Sequence, residues 1–387
     1  MSRSAPSSNP ASSGSREFNY AVHGLRGLAA MMVFLAHTLN GLREHAYADR
    51  TGFVNASEPF WNFGTYGVYF FFTISGFVIL PSVMRYDLKE FASRRFFRIY
   101  PLFFFMTIVF VVLNAITMEM PENNNLLAIF AALTFMDLFT PTVQLAPNAW
   151  SLTFEAFFYL LTAMVILFTI KRPNSFLGAV AIVAALAFAV IYPATLYFLF
   201  GLLVRTAYDR GVCLPLRSSR MMEAAAFVLL VFIASQGHFA YVHEEMRNPI
   251  AWATILSTAL YFFFAVRSSS LTSHIMTMRP LLYIGTVSYS LYLVHPYTYL
   301  ATRLVFQKLG LFTDNILASG LLFFPPVIVL TIVATHFIHV WVETWPYNAV
   351  FKRRIFAPEN RDEAAQKVPF EGVAQSTVLT STPKASV

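Results

Sequence analysis

Apolar runs of membrane-crossing length recur through the middle of this chain, parted by short polar links. A hydrocarbon core of about 30 Å takes about 20 helical residues. By that measure the runs fall at roughly 22–42, 62–83, 98–117, 150–170, 175–191, 194–208, 221–237, 249–266, 281–302 and 315–343. One further stretch, residues 126–139, is too short to cross. The pattern predicts an all-α polytopic membrane protein of about ten transmembrane helices plus one short re-entrant or partial segment.

Basic residues in the links set the direction of the chain. Arg85, Lys89, Arg94, Arg95 and Arg98 form one cluster, and Lys171 and Arg172 a second. Arg205, Arg210, Arg217 and Arg220 form a third, Arg267 and Arg279 a fourth, and Lys352, Arg353 and Arg354 a fifth. Placing all five on the cytoplasmic side requires an even number of crossings between neighbouring clusters. Only the interval from Arg98 to Lys171 breaks that rule, and a re-entrant 126–139 restores it. The opposite face then carries Arg43, Arg50, Arg247, Arg303 and Lys308, five against sixteen. Both termini come out cytoplasmic. Residues 1–19 are rich in Ser, Pro and Ala without an apolar signal core, and residues 351–387 are basic and then polar. Both read as disordered tails around one transmembrane domain at 20–350.

Composition agrees with this class. With 57% hydrophobic and 12% charged residues, the chain has too little charge to cover a soluble surface of its size. The net charge of +7 sits mostly in the short links rather than on one face, so it is no nucleic-acid footprint. A lone cysteine, Cys213, excludes an internal disulfide and a multi-thiolate metal site. The absence of an internal repeat argues against a transporter built from duplicated halves.

Candidate chemistry begins in the first run. Arg26 and His37 are eleven residues apart, about three helical turns, so they share one helix face about 16 Å apart along the axis. Ionisable groups inside a span are costly, and two on one stripe mark a functional cavity. A cation at one depth and an imidazole at another suit a long anionic ligand whose reactive end reaches the histidine. Counting about 1.5 Å per residue puts His37 about 22 Å and His295 about 21 Å from the inner boundary, and Glu155 about 7 Å from the outer one. All three are therefore expected in the outer third. Arg95 and Arg98, at i and i+3, present two guanidinium groups to a phosphate. Plainer duties stay open: His295 bonding a neighbouring carbonyl, Glu155 tying two helices, the arginines setting topology alone. No HxxxH or HExxH spacing signals a metal, and no Walker A, GxGxxG or GxSxG sequence signals nucleotide or esterase chemistry.

Five blocks in order carry a resemblance. They are Gly24-Leu25-Arg26-Gly27-Leu28-Ala29-Ala30 with His37; Tyr69-Phe70-Phe71-Phe72-Thr73-Ile74-Ser75-Gly76-Phe77; and Arg94-Arg95-Phe96-Phe97-Arg98-Ile99-Tyr100-Pro101. The last two are Trp150-Ser151-Leu152-Thr153-Phe154-Glu155 and Ser288-Tyr289-Ser290-Leu291-Tyr292-Leu293-Val294-His295-Pro296. In these the chain resembles the acyltransferase 3 family of integral-membrane acyltransferases, over about residues 20–345. Two positions depart from the family pattern. His23 stands where an Asp is common, and the usual Glu-x-Pro reads Glu343-Thr344-Trp345-Pro346, one residue longer.

The resemblance implies transfer of an acyl group, usually acetyl from cytoplasmic acetyl-CoA, to a hydroxyl of an extracytoplasmic or lipid-linked glycan such as exopolysaccharide or lipopolysaccharide. It implies no bound cofactor beyond that donor substrate, and a bacterial inner membrane as the setting. Arg26, Arg95, Arg98, Ser75 and Tyr289 are then expected to bind substrate, and His37, Glu155 and His295 to serve catalysis. His37 would act as general base or form a transient acyl-imidazole, and Glu155 or His295 would orient it or bind the sugar. A proton-coupled transporter or a glycan flippase would use similar intramembrane His, Glu and Arg residues. Acetyl-CoA consumption separates these readings.

Overall fold

The computed structural model describes residues 19–118, 121–142, 145 and 148–351. The expected tails therefore lie outside the described residues, save their inner ends. Asn19 caps the first helix by accepting from the Val22 N–H, and Phe351 is buried. Every described element is helical. The α-helices are α1 (Tyr20–His45), α2 (Thr51–Thr65), α3 (Gly67–Arg85), α4 (Leu88–Thr117), α5 (Leu126–Leu133), α6 (Trp150–Ile166) and α7 (Ser175–Ile191). They continue as α8 (Leu196–Asp209), α9 (Leu216–Ala234), α10 (Pro249–Ala265), α11 (Leu271–Met276), α12 (Arg279–Lys308), α13 (Ile316–Ile338) and α14 (Trp345–Phe351). Each of the ten apolar runs is thus helical. By length and composition, α1, the continuous α2–α3 stretch, α4, α6 with its following turn, and the stretch from α13 to Phe351 suffice to cross a membrane. α7 and α8 qualify together but bend by 114°.

The short 126–139 stretch packs against α4 and the end of α7. Asn125 caps α5, and the chain then turns through Phe135 in the left-handed region at φ 56°. Phe135 stacks on Phe103 of α4 at 4.9 Å, and Tyr192 at the end of α7 bonds the Leu138 carbonyl at 3.2 Å. Eight residues of helix reach only about 12 Å, so α5 does not cross.

Contacts between links follow the two sets that positive charge defines. At one end Lys171 donates to the Tyr86 carbonyl, Arg94 reaches the Tyr347 hydroxyl at 3.2 Å, and Arg220 the Ser269 carbonyl at 3.1 Å. At the other, Arg43 pairs with Glu58, Arg50 with Asp314, and the Tyr47 hydroxyl bonds the Thr313 carbonyl at 2.8 Å. No basic link crosses from one set to the other among these contacts.

The helix pair that frames the site is α1 with α12. They run parallel and touch backbone to backbone, since a Cβ on Gly27 would lie 2.6 Å from the Gly285 nitrogen. A Cβ on Gly285 would lie 2.4 Å from the His23 carbonyl oxygen. His37 and His295 each follow their own glycine by ten residues, so a parallel register brings them level. α12 also ties to α4 through Tyr289, whose hydroxyl donates to the Ile99 carbonyl at 2.8 Å, and through Tyr297, which reaches the Met106 carbonyl at 3.1 Å.

This crossing makes a stability prediction. Gly285→Ala forces a methyl against backbone and should cost on the order of 1–3 kcal/mol, as overpacking does. Gly320, with nothing within 4 Å of its would-be Cβ, supplies the control. Gly320→Ala should be neutral or stabilising by about 0.5–1 kcal/mol. Thermal unfolding of the two purified variants in detergent checks this, and equal midpoints would contradict the close crossing.

Candidate active site

His37 and His295 meet. The Nε2 of His295 lies 3.2 Å from the Nδ1 of His37, with ring centroids 5.2 Å apart. Backbone carbonyls settle which nitrogens carry protons. The Leu291 carbonyl sits 3.1 Å from His295 Nδ1, and a carbonyl only accepts, so that nitrogen is the N–H. Neutral His295 then offers Nε2 as an acceptor. The Nδ1 of His37 donates, shared between His295 and the Val33 carbonyl at 3.0 Å. What remains is the Nε2 lone pair of His37, in a half-buried ring backed by a fully buried one. A general base or a nucleophile needs such a lone pair. Neither imidazole has a carboxylate partner, so they form a histidine pair and not a carboxylate-oriented dyad.

Glu155 lies elsewhere, contrary to the expected shared depth. Ser151, one turn earlier on α6, meets the Tyr292 hydroxyl at 2.8 Å, and Tyr292 precedes His295 by three residues. Glu155 is therefore well below the histidines, counted along both helices. Its carboxylate accepts from Ser75 Oγ at 2.7 Å and from the Tyr159 hydroxyl. Tyr159 in turn lies 3.4 Å from Arg95 Nη1, and the Arg95 guanidinium packs over its ring at 4.6 Å. Arg95 is buried. Thus Ser75, Glu155, Tyr159 and Arg95 form one chain of contacts binding α3, α4 and α6, and the expected roles of three of these residues converge on a tie between helices.

Arg98 faces different surroundings from Arg95. It acts electrostatically on Tyr289 of α12, and together with Arg26 it acts on His23 of α1. Arg98 is thus within electrostatic reach both of Tyr289 on α12 and of the turn of α1 that carries His23 and Arg26, below His37. His23 itself meets the Leu282 carbonyl at 3.0 Å and the Thr286 hydroxyl at 3.2 Å, so it spans α1 and α12.

Sequence reasoning left Glu343 without a role, and the structure gives it one. It is buried, accepts from Ser290 Oγ at 2.5 Å and meets His339 Nδ1 at 2.9 Å. The segment His339–Thr344 is a π-helix. Glu343 sits within this wider turn and ties it to α12 through Ser290. Tyr159, Trp61 and His238 were also missed. Trp61 packs edge-on against His37 with centroids 5.7 Å apart, and against His238 at 5.8 Å. Only the tertiary fold brings α2 and the 235–248 link to the histidine pair. Among the described residues no three His, Cys, Asp or Glu side chains converge as a metal site would require.

Comparison with known proteins gives the family of the chain. Residues 19–340 match the family model described as an acyltransferase domain. Curated relatives include the putative peptidoglycan O-acetyltransferase YrhL of Bacillus subtilis, 27% identical over 76% of this chain and 53% of the relative. O-acetyltransferase OatA of Staphylococcus aureus is 26% identical over 79% of this chain and 56% of its own length. Peptidoglycan O-acetyltransferase OatA of Listeria monocytogenes is 27% identical over 73% and 49%. The chain spans about half the length of these relatives. No solved structure matches. With the match covering α1 through nearly all the described helices, the chain belongs to the Acyltransferase 3 family of membrane proteins.

Proposed function

We propose that this protein is an O-acetyltransferase, moving acetyl from acetyl-CoA on the cytoplasmic side to a hydroxyl of a glycan at the opposite face of a bacterial inner membrane. The observation that carries the reading is the Nε2 lone pair of His37, at one end of a stripe whose other end bears Arg26, with Arg98 acting on the same turn through His23. The two ends are about 16 Å apart, a separation that suits a CoA phosphate at the arginines and a thioester at the histidine. The names of the curated relatives support a glycan acceptor.

In this reading the acceptor hydroxyl hydrogen-bonds to His37 Nε2, which takes its proton as the oxygen attacks the thioester carbonyl. His295 steadies the resulting imidazolium by accepting from Nδ1. The C–S bond then breaks, and the CoA thiolate leaves with the proton that His37 gives back. An acyl-imidazole at the same Nε2 would split the transfer into two steps with the same balance. The Ser75–Glu155–Tyr159–Arg95 chain holds the walls between the two ends.

Radiolabelled acetyl-CoA added to membranes containing the protein should leave label in glycan, and solute flux without label would favour a transporter. His37→Ala should lower transfer by a factor of about 10² to 10⁴ at equal protein abundance. Activity unchanged in that variant would remove His37 from the reaction. Arg98→Lys should raise the KM for acetyl-CoA with little change in kcat, because an ammonium does not reproduce the planar guanidinium fork. An unaltered KM would leave Arg98 with a purely topogenic duty.

A further inference from the structure

Beyond the histidine pair, on the side of the Arg43–Glu58 link, the contacts continue into an aromatic and polar mouth. Trp61 stands between two imidazoles, edge-on to His37 at 5.7 Å and tilted against His238 at 5.8 Å. His238 is partly exposed, and its Nδ1 meets the Thr65 hydroxyl at 2.9 Å. The buried Asn62 side chain donates to the Ser235 carbonyl at 3.1 Å, pinning α2 to the end of α9. The spacing of Trp61 and His238 is therefore built and not incidental. Trp61 itself is only half-buried.

The charges at this mouth narrow what it accepts. Glu44 acts on His37, and Glu58 and Glu245 act on His238, while Arg43 is engaged by Glu58. Desolvation holds the His238 imidazole below its ordinary pKa, so at neutral pH it adds no positive charge. Of the groups that act on these two imidazoles, those charged at neutral pH are carboxylates. A phosphate or uronate would be repelled there, whereas a ring with apolar C–H faces and neutral hydroxyls meets both an aromatic surface and hydrogen-bonding edges.

We propose that Trp61 is the platform on which a neutral sugar ring of the acceptor stacks, with His238 as a hydrogen-bonding partner to its hydroxyls. The placement rests on the acetyl-transfer reading above and gives it an acceptor class, neutral hexoses or N-acetylhexosamines. Stacked on Trp61, such a ring presents a hydroxyl beside His37.

Two measurements on the purified full-length protein in detergent test the platform. The first is equilibrium binding, without donor, of fully N-acetylated chitotetraose, maltotetraose and mannotetraose, with tetragalacturonate as the anionic counterpart. The second is transfer kinetics with radiolabelled acetyl-CoA and whichever neutral oligosaccharide binds. Trp61→Ala should weaken neutral-sugar binding and raise the acceptor KM by about 3- to 10-fold, the worth of one aromatic contact. Acetyl-CoA KM should stay unchanged in that variant, and Trp61→Phe should restore most of the acceptor affinity, which a mere packing defect would not allow. Equal binding of tetragalacturonate, no binding of any neutral oligosaccharide, or an acceptor KM untouched in Trp61→Ala would each overturn the platform. Binding that depends on Trp61 in a protein that transfers no acetyl would sustain the platform and sink the acetyl-transfer reading alone.

Discussion

Because Gly27 and Gly285 lack side chains, α1 and α12 approach until backbone touches backbone, and that contact sets the register of everything above it. Two parallel helices in fixed register keep equal counts level. His37 and His295, ten residues beyond their glycines, therefore face each other without any loop or lid to bring them together. A protein interior is close-packed, so a shift at the crossing passes directly to the imidazoles. The same helices carry His23 across to Leu282 and Thr286, a second contact near the lower end.

The chemistry follows from hydrogen-bond accounting inside that frame. With both rings neutral, two carbonyl acceptors, Val33 and Leu291, leave one consistent distribution of protons over the four ring nitrogens. The outcome is a lone pair on His37 with a neutral histidine behind it. Positive charge lies far below, at Arg26 and Arg98, and the groups acting on His37 and His238 at the opposite mouth are mainly acidic. A donor anchored by phosphates and an acceptor without charge would thus approach the same nitrogen from opposite ends. Between them, buried polar ties such as Ser290 to Glu343 and Ser75 to Glu155 hold the helices in place.

Much of this was legible in the sequence, for a physical reason. Hydropathy reports helices well when each must bury its backbone in lipid, and all ten runs are helical. The charge count sorted the links into two sets that the contacts respect. His37 and His295 were expected at one depth, and they touch. Glu155 was misplaced because its depth was counted from Trp150 as though α6 began at the outer boundary. Ser151, one turn before Glu155, already lies level with Tyr292, three residues before His295. The π-turn that carries Glu343 left no periodic trace, since one extra residue in a turn shifts a pattern without erasing it. Trp61 and His238 belong to different links and meet only after folding.

The central claim is that His37 and His295 work as one unit, the second acting through the first. A double-mutant cycle on kcat/KM for acetyl transfer tests it, with His37→Ala, His295→Ala and the double variant compared at equal abundance. If His295 acts through His37, removing it from the His37→Ala protein costs almost nothing further, and the double variant matches His37→Ala within a few-fold. Losses that multiply, with no coupling between the two positions, would contradict the pair and leave each histidine with a separate task.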